Sequence, residues 1–153
     1  MHSRIYQISE KPIEDFIDEY RYDEWSRADY VSLQTSETDI QSDLEWLQTA
    51  NKGIEVDTEN KTFKITSKKE YFDEKHDKFK ELAEELSNTS LEDFISGKEH
   101  FKVYDLKCAY EEKYGFYVDD NDEFIGLTNL DNFVRNAEEN KVYYIGRIFD
   151  YHF

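Results

Sequence analysis

Ile54-Glu55-Val56-Asp57-Thr58 and Thr62-Phe63-Lys64-Ile65-Thr66, joined through Glu59-Asn60-Lys61, form the stretch on which the fold turns. Apolar residues fall at alternate positions on both sides of the polar turn, and a period of two is the signature of a half-buried strand. The reading is a β-hairpin with Ile54, Val56, Phe63 and Ile65 on one face. Its other face places Glu55 and Asp57 near Lys64, where opposite charges on neighbouring strands attract. A sheet with one apolar face must be covered, so the flanking sequence has to supply helices.

It does so on both sides. Upstream, Ser36 with Asp39 resembles a capping arrangement, and Ile40, Leu44 and Leu47 keep the helical period until Gly53 stops it. Downstream, Ser67 with Glu70 forms a capping box ahead of the longest helical pattern, which runs to Leu86. Phe72, His76, Phe79, Ala83 and Leu86 make its stripe, flanked by Leu82. Ser90 to Ile95 reads as a short helix stopped by Gly97, and Leu106 to Tyr114 as another, closed by Gly115. Phe116-Tyr117-Val118 is extended, an acidic loop follows over 119–123, and Thr128 with Asp131 opens a short helix through Phe133, Val134 and Ala137.

The two ends of the chain bring more strands. Arg4 to Ser9 is a first strand, and Pro12 opens a predicted amphipathic helix to Tyr22 with Ile13, Phe16, Ile17 and Tyr20 on its apolar face. Residues 23–33 fit either a helical turn or an ordered loop. Val142 to Phe153 is a closing strand, whose positions Tyr143, Ile145, Phe149, Tyr151 and Phe153 form one aromatic-rich face, with Gly146 marking a bulge. Terminal strands, a central hairpin and helices between them give an α+β fold, with a mainly antiparallel sheet packed on several helices. With one Pro, five Gly and no linker-like tract, residues 1–153 form a single acidic domain.

Composition narrows the function classes. The chain carries a formal net charge of -17, yet it holds 12 Tyr, 11 Phe and 2 Trp, enough apolar surface to fold despite the charge. Residues 1–51 contribute -8, residues 52–118 only -4 and residues 119–153 -5, so the two ends hold the field. Such a field repels nucleic acid and anionic lipid and attracts basic partners. Neither direct nucleic-acid binding nor membrane insertion is expected, since no apolar run approaches the ~18 residues of a span. One Cys allows no internal disulfide, and the N-terminus lacks a signal-like apolar stretch, so a cytoplasmic location is expected.

Motifs for catalysis, metal or cofactor are missing from the sequence. No His-x-x-x-His or Cys-x-x-Cys spacing occurs, and there is no Gly-rich phosphate loop or Gly-x-Ser-x-Gly elbow. His76 on an apolar stripe reads as a boundary residue, and Cys108, with His100 or His76 as its nearest conceivable base, reads as a buried thiol. Asp119-x-Asn121-x-Glu123 echoes a calcium loop, but Phe124 and Leu130 stand where Gly and Glu are needed. No catalytic residue, metal ligand or cofactor is therefore assigned.

What remains is the acidic N-terminal segment. Glu14, Asp15, Asp18, Glu19, Asp23 and Glu24 are interleaved with Tyr20, Tyr22 and Trp25. Carboxylates steer encounter with a basic surface, while Tyr and Trp supply buried anchors that slow dissociation. The expectation is a non-enzymatic protein-interaction module that binds a basic protein. The acidic, ring-rich composition is shared by DNA mimics and by immunity proteins that neutralise nucleases, so its sharpest form is an inhibitor of a nucleic-acid-processing protein. The rival is a small enzyme or ligand-binding domain with a pocket lined by rings and carboxylates.

Overall fold

The computed structural model describes residues 1–120 and 126–153. Its seven strands are β1 (His2–Ser9), β2 (Tyr30–Leu33), β3 (Ile54–Asp57), β4 (Thr62–Ile65), β5 (Tyr117–Asp120), β6 (Leu127–Asn129) and β7 (Val142–His152). The helices are α1 (Glu37–Ala50), α2 (Lys68–Ser87), α3 (Leu91–Ser96), α4 (His100–Tyr110) and α5 (Leu130–Asn136). All seven belong to one sheet, six in the order β3-β4-β7-β1-β5-β6 and β2 paired with β7 off this path, antiparallel except for the parallel β1–β5 pair. The fold is α+β, with the sheet packed against helices.

The predicted hairpin is present in the predicted register, with Ile54 opposite Ile65 and Val56 opposite Phe63. Lys64 Nζ reaches Glu55 Oε1 at 2.9 Å on the outer face. Closing strand β7 is the hub: β4 pairs with its first residues, β2 with its last, and β1 runs along its other side. Ser36 and Ser67 cap α1 and α2 as expected, accepting from the Asp39 and Glu70 amides.

A bulge in β7 decides how the core divides. Along the β1–β7 pair, Tyr6 faces Ile148 but Ile8 faces Ile145, so Gly146 and Arg147 together oppose Gln7. One inserted residue flips every later side chain to the other face of the sheet. Tyr143, Ile145 and Ile148 consequently point into the core beneath α1, α2 and α5, whereas Phe149 and Tyr151 point to the opposite face. The single aromatic face expected from alternation does not exist. Instead the sheet is covered twice, by helices on one side and by an irregular segment carrying Ile17, Tyr22, Trp25 and Ala28 on the other.

That second cover corrects another expectation. Residues 12–22 do not form a helix; apart from a 3-10 turn at Glu19–Tyr22 they are irregular. The reason is long-range. The buried Gln7 amide donates to the Asp15 carbonyl at 2.8 Å, and Arg147 Nη1 donates to the Ile17 carbonyl at 2.9 Å. A helix would need both carbonyls for its own i to i+4 bonds. Gly146 leaves room for this clamp, because a Cβ there would stand 2.6 Å from Gln7 Oε1 and 2.9 Å from Ile13 Cδ1.

Smaller shifts follow the same logic. The inward face of α2 carries Tyr71, Lys75, Phe79 and Leu82, so His76 is solvent-exposed and not on the packed stripe. Helix α4 starts at His100 rather than Leu106 and ends at Tyr110, before Gly115. Asp119 and Asp120 belong to β5, not to an acidic loop, while Asn121, Asp122 and Glu123 lie outside the described residues. Among the described residues, no helix is long and apolar enough to cross a membrane.

Candidate interaction surface

Segment 14–24 is pinned to the sheet by its own polar groups. The bulge clamp fixes its first half. Its second half hangs on Asp119, which is fully buried on β5 and accepts both Arg21 Nε at 2.7 Å and Arg21 Nη2 at 3.0 Å. The fork-to-carboxylate match gives a fixed orientation as well as charge neutralisation. Tyr22 completes the site, its hydroxyl donating to Asp119 Oδ2 at 3.0 Å. Burial first, and then the Asp119 charge, push the Tyr22 hydroxyl far above its ordinary pKa, so it stays a donor.

This anchoring sorts the residues singled out from the sequence. Tyr22 is buried against Phe149, and Trp25 stacks edge-on to Tyr117 and Tyr151 with ring centroids 4.9 and 5.1 Å away. Tyr22, buried, and Trp25, half-buried, therefore hold the segment down on the sheet. Glu19 is also structural, its Oε2 accepting the Leu33 amide of β2 at 2.9 Å. Asp18 accepts from the Tyr20 amide and lies 4.0 Å from Arg147 Nη1.

Outward-facing groups remain. Glu14, Asp15, Asp18, Asp23 and Glu24 are all exposed. Tyr20 is 74% exposed, and Phe16, which the sequence placed on a buried helix face, is 55% exposed with Arg147 5.8 Å from its ring centroid. Phe16 is the exposed ring that sequence reasoning missed. Its helical spacing with Ile13 and Ile17 hid it, and only the clamp from Gln7 and Arg147 reveals its direction. The surface is thus two exposed rings set among five carboxylates, on a segment whose backbone is tied to the sheet.

A cleft of ≈ 550 Å³ lies elsewhere, at the carboxyl ends of the parallel strands β1 and β5. Glu10, Asp120, Glu138, Lys141 and Tyr143 line it. Lys141 pairs with Glu10, and this bond, with the Glu10 charge, raises the ammonium pKa. Near α1 a further network joins Arg4 to Asp43 (2.8 Å) and to Asp150. There burial pushes the Asp43 carboxyl up, against the pull of the Arg4 guanidinium. No group of His, Cys, Asp and Glu with the geometry of a metal site occurs among the described residues. The conceivable Cys108–His100 pair does not form either, since eight residues along one helix separate them by about 12 Å. The Cys108 thiol instead meets Tyr104. Comparison with protein-family models, with curated proteins and with solved structures finds no match.

Proposed function

We propose that this chain is a non-enzymatic interaction module that engages a basic protein surface through residues 14–24, with Phe16 and Tyr20 as the anchoring rings. The observation that carries the reading is the placement of those two exposed aromatics among exposed carboxylates on a backbone held by Gln7, Arg147 and Asp119. A pre-fixed segment loses little conformational entropy on docking, aromatic rings are enriched at the buried centre of interfaces, and carboxylates at the rim steer encounter with a basic surface. A nucleic-acid-processing protein is the preferred partner class, because its substrate groove presents cations arranged for an anionic polymer.

The test is capture from native cell extract on three immobilised chains: the parent, Glu14→Lys/Asp23→Lys/Glu24→Lys, and a control with Asp73→Lys/Asp77→Lys/Glu84→Lys on the outer face of α2. Both variants change the net charge equally. A basic protein retained by parent and control but lost from the first variant supports the reading. Identical retention by all three chains refutes it.

The rival ligand-binding reading draws on the cleft, whose volume falls within the roughly 300–1,000 Å³ of small-molecule sites. Its carboxylates favour a small organic cation. A rise in melting temperature with such a ligand, lost in Glu138→Gln, would carry it.

A further inference from the structure

Helices α3 and α4, joined by a short turn, stand apart from the rest of the surface. Leu91, Phe94, Ile95 and Phe101 are 74%, 75%, 75% and 77% exposed, within one helix–turn–helix stretch. Neither α3 nor α4 contains a single buried residue. Leu91, Phe94 and Ile95 have the i, i+3, i+4 spacing of a packed face, and α4 carries apolar residues on two sides. Leu106 and Ala109 lie toward α2, while Phe101, Val103 and Tyr104 are exposed. A helix apolar on more than one side is expected to be covered on more than one side.

The size of the patch and its charge pattern identify the cover. At ~150–250 Å² for a large ring, Phe94 and Phe101 at three-quarters exposure present roughly 225–375 Å² of apolar surface, and Leu91 and Ile95, equally exposed, bring the total to roughly 500 Å². A standard interface buries about 800 Å² per partner, and in homodimers about 65% of it is apolar, roughly 520 Å². The patch supplies that amount. Most charges around it are paired internally: Lys98 pairs with Asp93 at 2.9 Å, and Lys102 pairs with Glu99 at 3.2 Å and with Glu85 at 3.3 Å, while residues 90–110 carry four carboxylates against three lysines. In a chain of net charge -17, this is a nearly neutral, apolar face. A basic partner would have to compete with the protein's own lysines for those carboxylates. A second copy of the same face would bury the rings with only one net negative charge per copy facing the other, in the self-complementary contact of an isologous two-fold.

We infer that the chain forms a homodimer through the α3–α4 face, with Phe94, Ile95 and Phe101 at its centre. The two copies still repel through their remaining charge, so screening by salt should tighten the dimer, opposite to its effect on a basic partner.

Analytical ultracentrifugation of the purified chain from micromolar to submillimolar concentration, at low and high sodium chloride, tests this. The expected result is a mass that rises towards twice 18.4 kDa with concentration and does so at lower concentration in high salt. Phe94→Glu/Phe101→Glu, and separately Ile95→Glu, should remain monomeric with an unchanged circular dichroism spectrum, since these side chains are already solvent-exposed. Phe16→Ser/Tyr20→Ser should dimerise like the parent. The parent melting temperature should rise with protein concentration while that of the glutamate variants does not. A parent that stays monomeric throughout, or glutamate variants that associate as the parent does, overturns the inference. Because the experiment uses the chain alone, its failure leaves the acidic-segment reading standing, and failure of the extract capture leaves the dimer standing.

Discussion

Raising the pH above 10 should unfold this protein in one cooperative step. Tyr6, Tyr22, Tyr71 and Tyr151 are buried, and each hydroxyl donates to an acceptor fixed by the fold. Tyr6 donates to the Asp43 carbonyl at 2.8 Å and Tyr22 to Asp119 at 3.0 Å, while Tyr71 donates to Asp131 at 2.8 Å and Tyr151 to the Gly115 carbonyl at 2.5 Å. Burial raises all four pKa values in the native state, and carboxylates next to Tyr22 and Tyr71 raise theirs further. In the unfolded chain the same groups ionise near pH ~10. Above that pH the native state holds more protons than the unfolded state, so stability falls as pH rises.

Each such group costs about 1.4 kcal/mol per pH unit once the unfolded tyrosine is ionised and the native one is not. Four of them remove about 5–6 kcal/mol per unit, against a total stability of ~5–15 kcal/mol. Unfolding should therefore be complete within about one to three units above pH ~10. Following tyrosinate absorbance and far-ultraviolet circular dichroism along one titration reads the effect, with ionisation of these four coinciding with loss of structure. Tyr22→Phe should make the pH dependence shallower by about a quarter, one group of the four. Tyrosinate absorbance corresponding to all 12 Tyr with the native dichroism intact would refute the reasoning.

Two further perturbations test the anchors of the candidate surface. Arg21→Ala leaves the fully buried Asp119 carboxylate with Tyr22 as its remaining side-chain donor among the described residues, and should cost about 2–3 kcal/mol in urea unfolding, below the usual ~3–5 because Arg21 is itself partly exposed. The double variant Arg21→Met/Asp119→Leu should recover part of that loss, and equal or greater destabilisation would argue against an orphaned charge as its cause. Gly146→Ala pushes a methyl group against Gln7 and Ile13, and should cost about 1–3 kcal/mol. It should also speed hydrogen exchange of the Arg147 amide, which donates to Gln7 Oε1, without changing exchange in the β3–β4 hairpin.

The hairpin was legible because a strict period of two has no good helical alternative and because both of its strands are adjacent in sequence. The caps of α1 and α2 were legible for a similar reason: Ser36 and Ser67 act on amides three residues away. What escaped was set by partners far along the chain. Residues 12–22 have a valid helical stripe, and the side chains that prevent the helix, Gln7 and Arg147, act from separate strands. Gly146 was recognisable as a bulge, but its consequence, the transfer of Phe149 and Tyr151 to the other face, depends on the register with β1. Strand β6 has only three residues, and β2, as short as the hairpin strands, pairs with β7 far along the chain and not with a neighbour in sequence.

The candidate surface was half legible. Its carboxylates follow from composition, yet which rings face outward depends on the buried Asp119, whose acidic neighbours made it look like part of a solvated turn. Tyr22 turned inward to that carboxylate and Trp25 to Tyr117 and Tyr151, while the clamp from Gln7 and Arg147 left Phe16 outside.

The central claim, that a defined acidic surface and not the overall charge binds the partner, is tested most directly by association rates with the captured basic protein across ionic strength. Glu14→Lys/Asp23→Lys/Glu24→Lys should associate more slowly than Asp73→Lys/Asp77→Lys/Glu84→Lys at every salt concentration and show the weaker salt dependence, while the latter stays close to the parent. Equal slowing of both variants would assign the effect to the global field and contradict the claim.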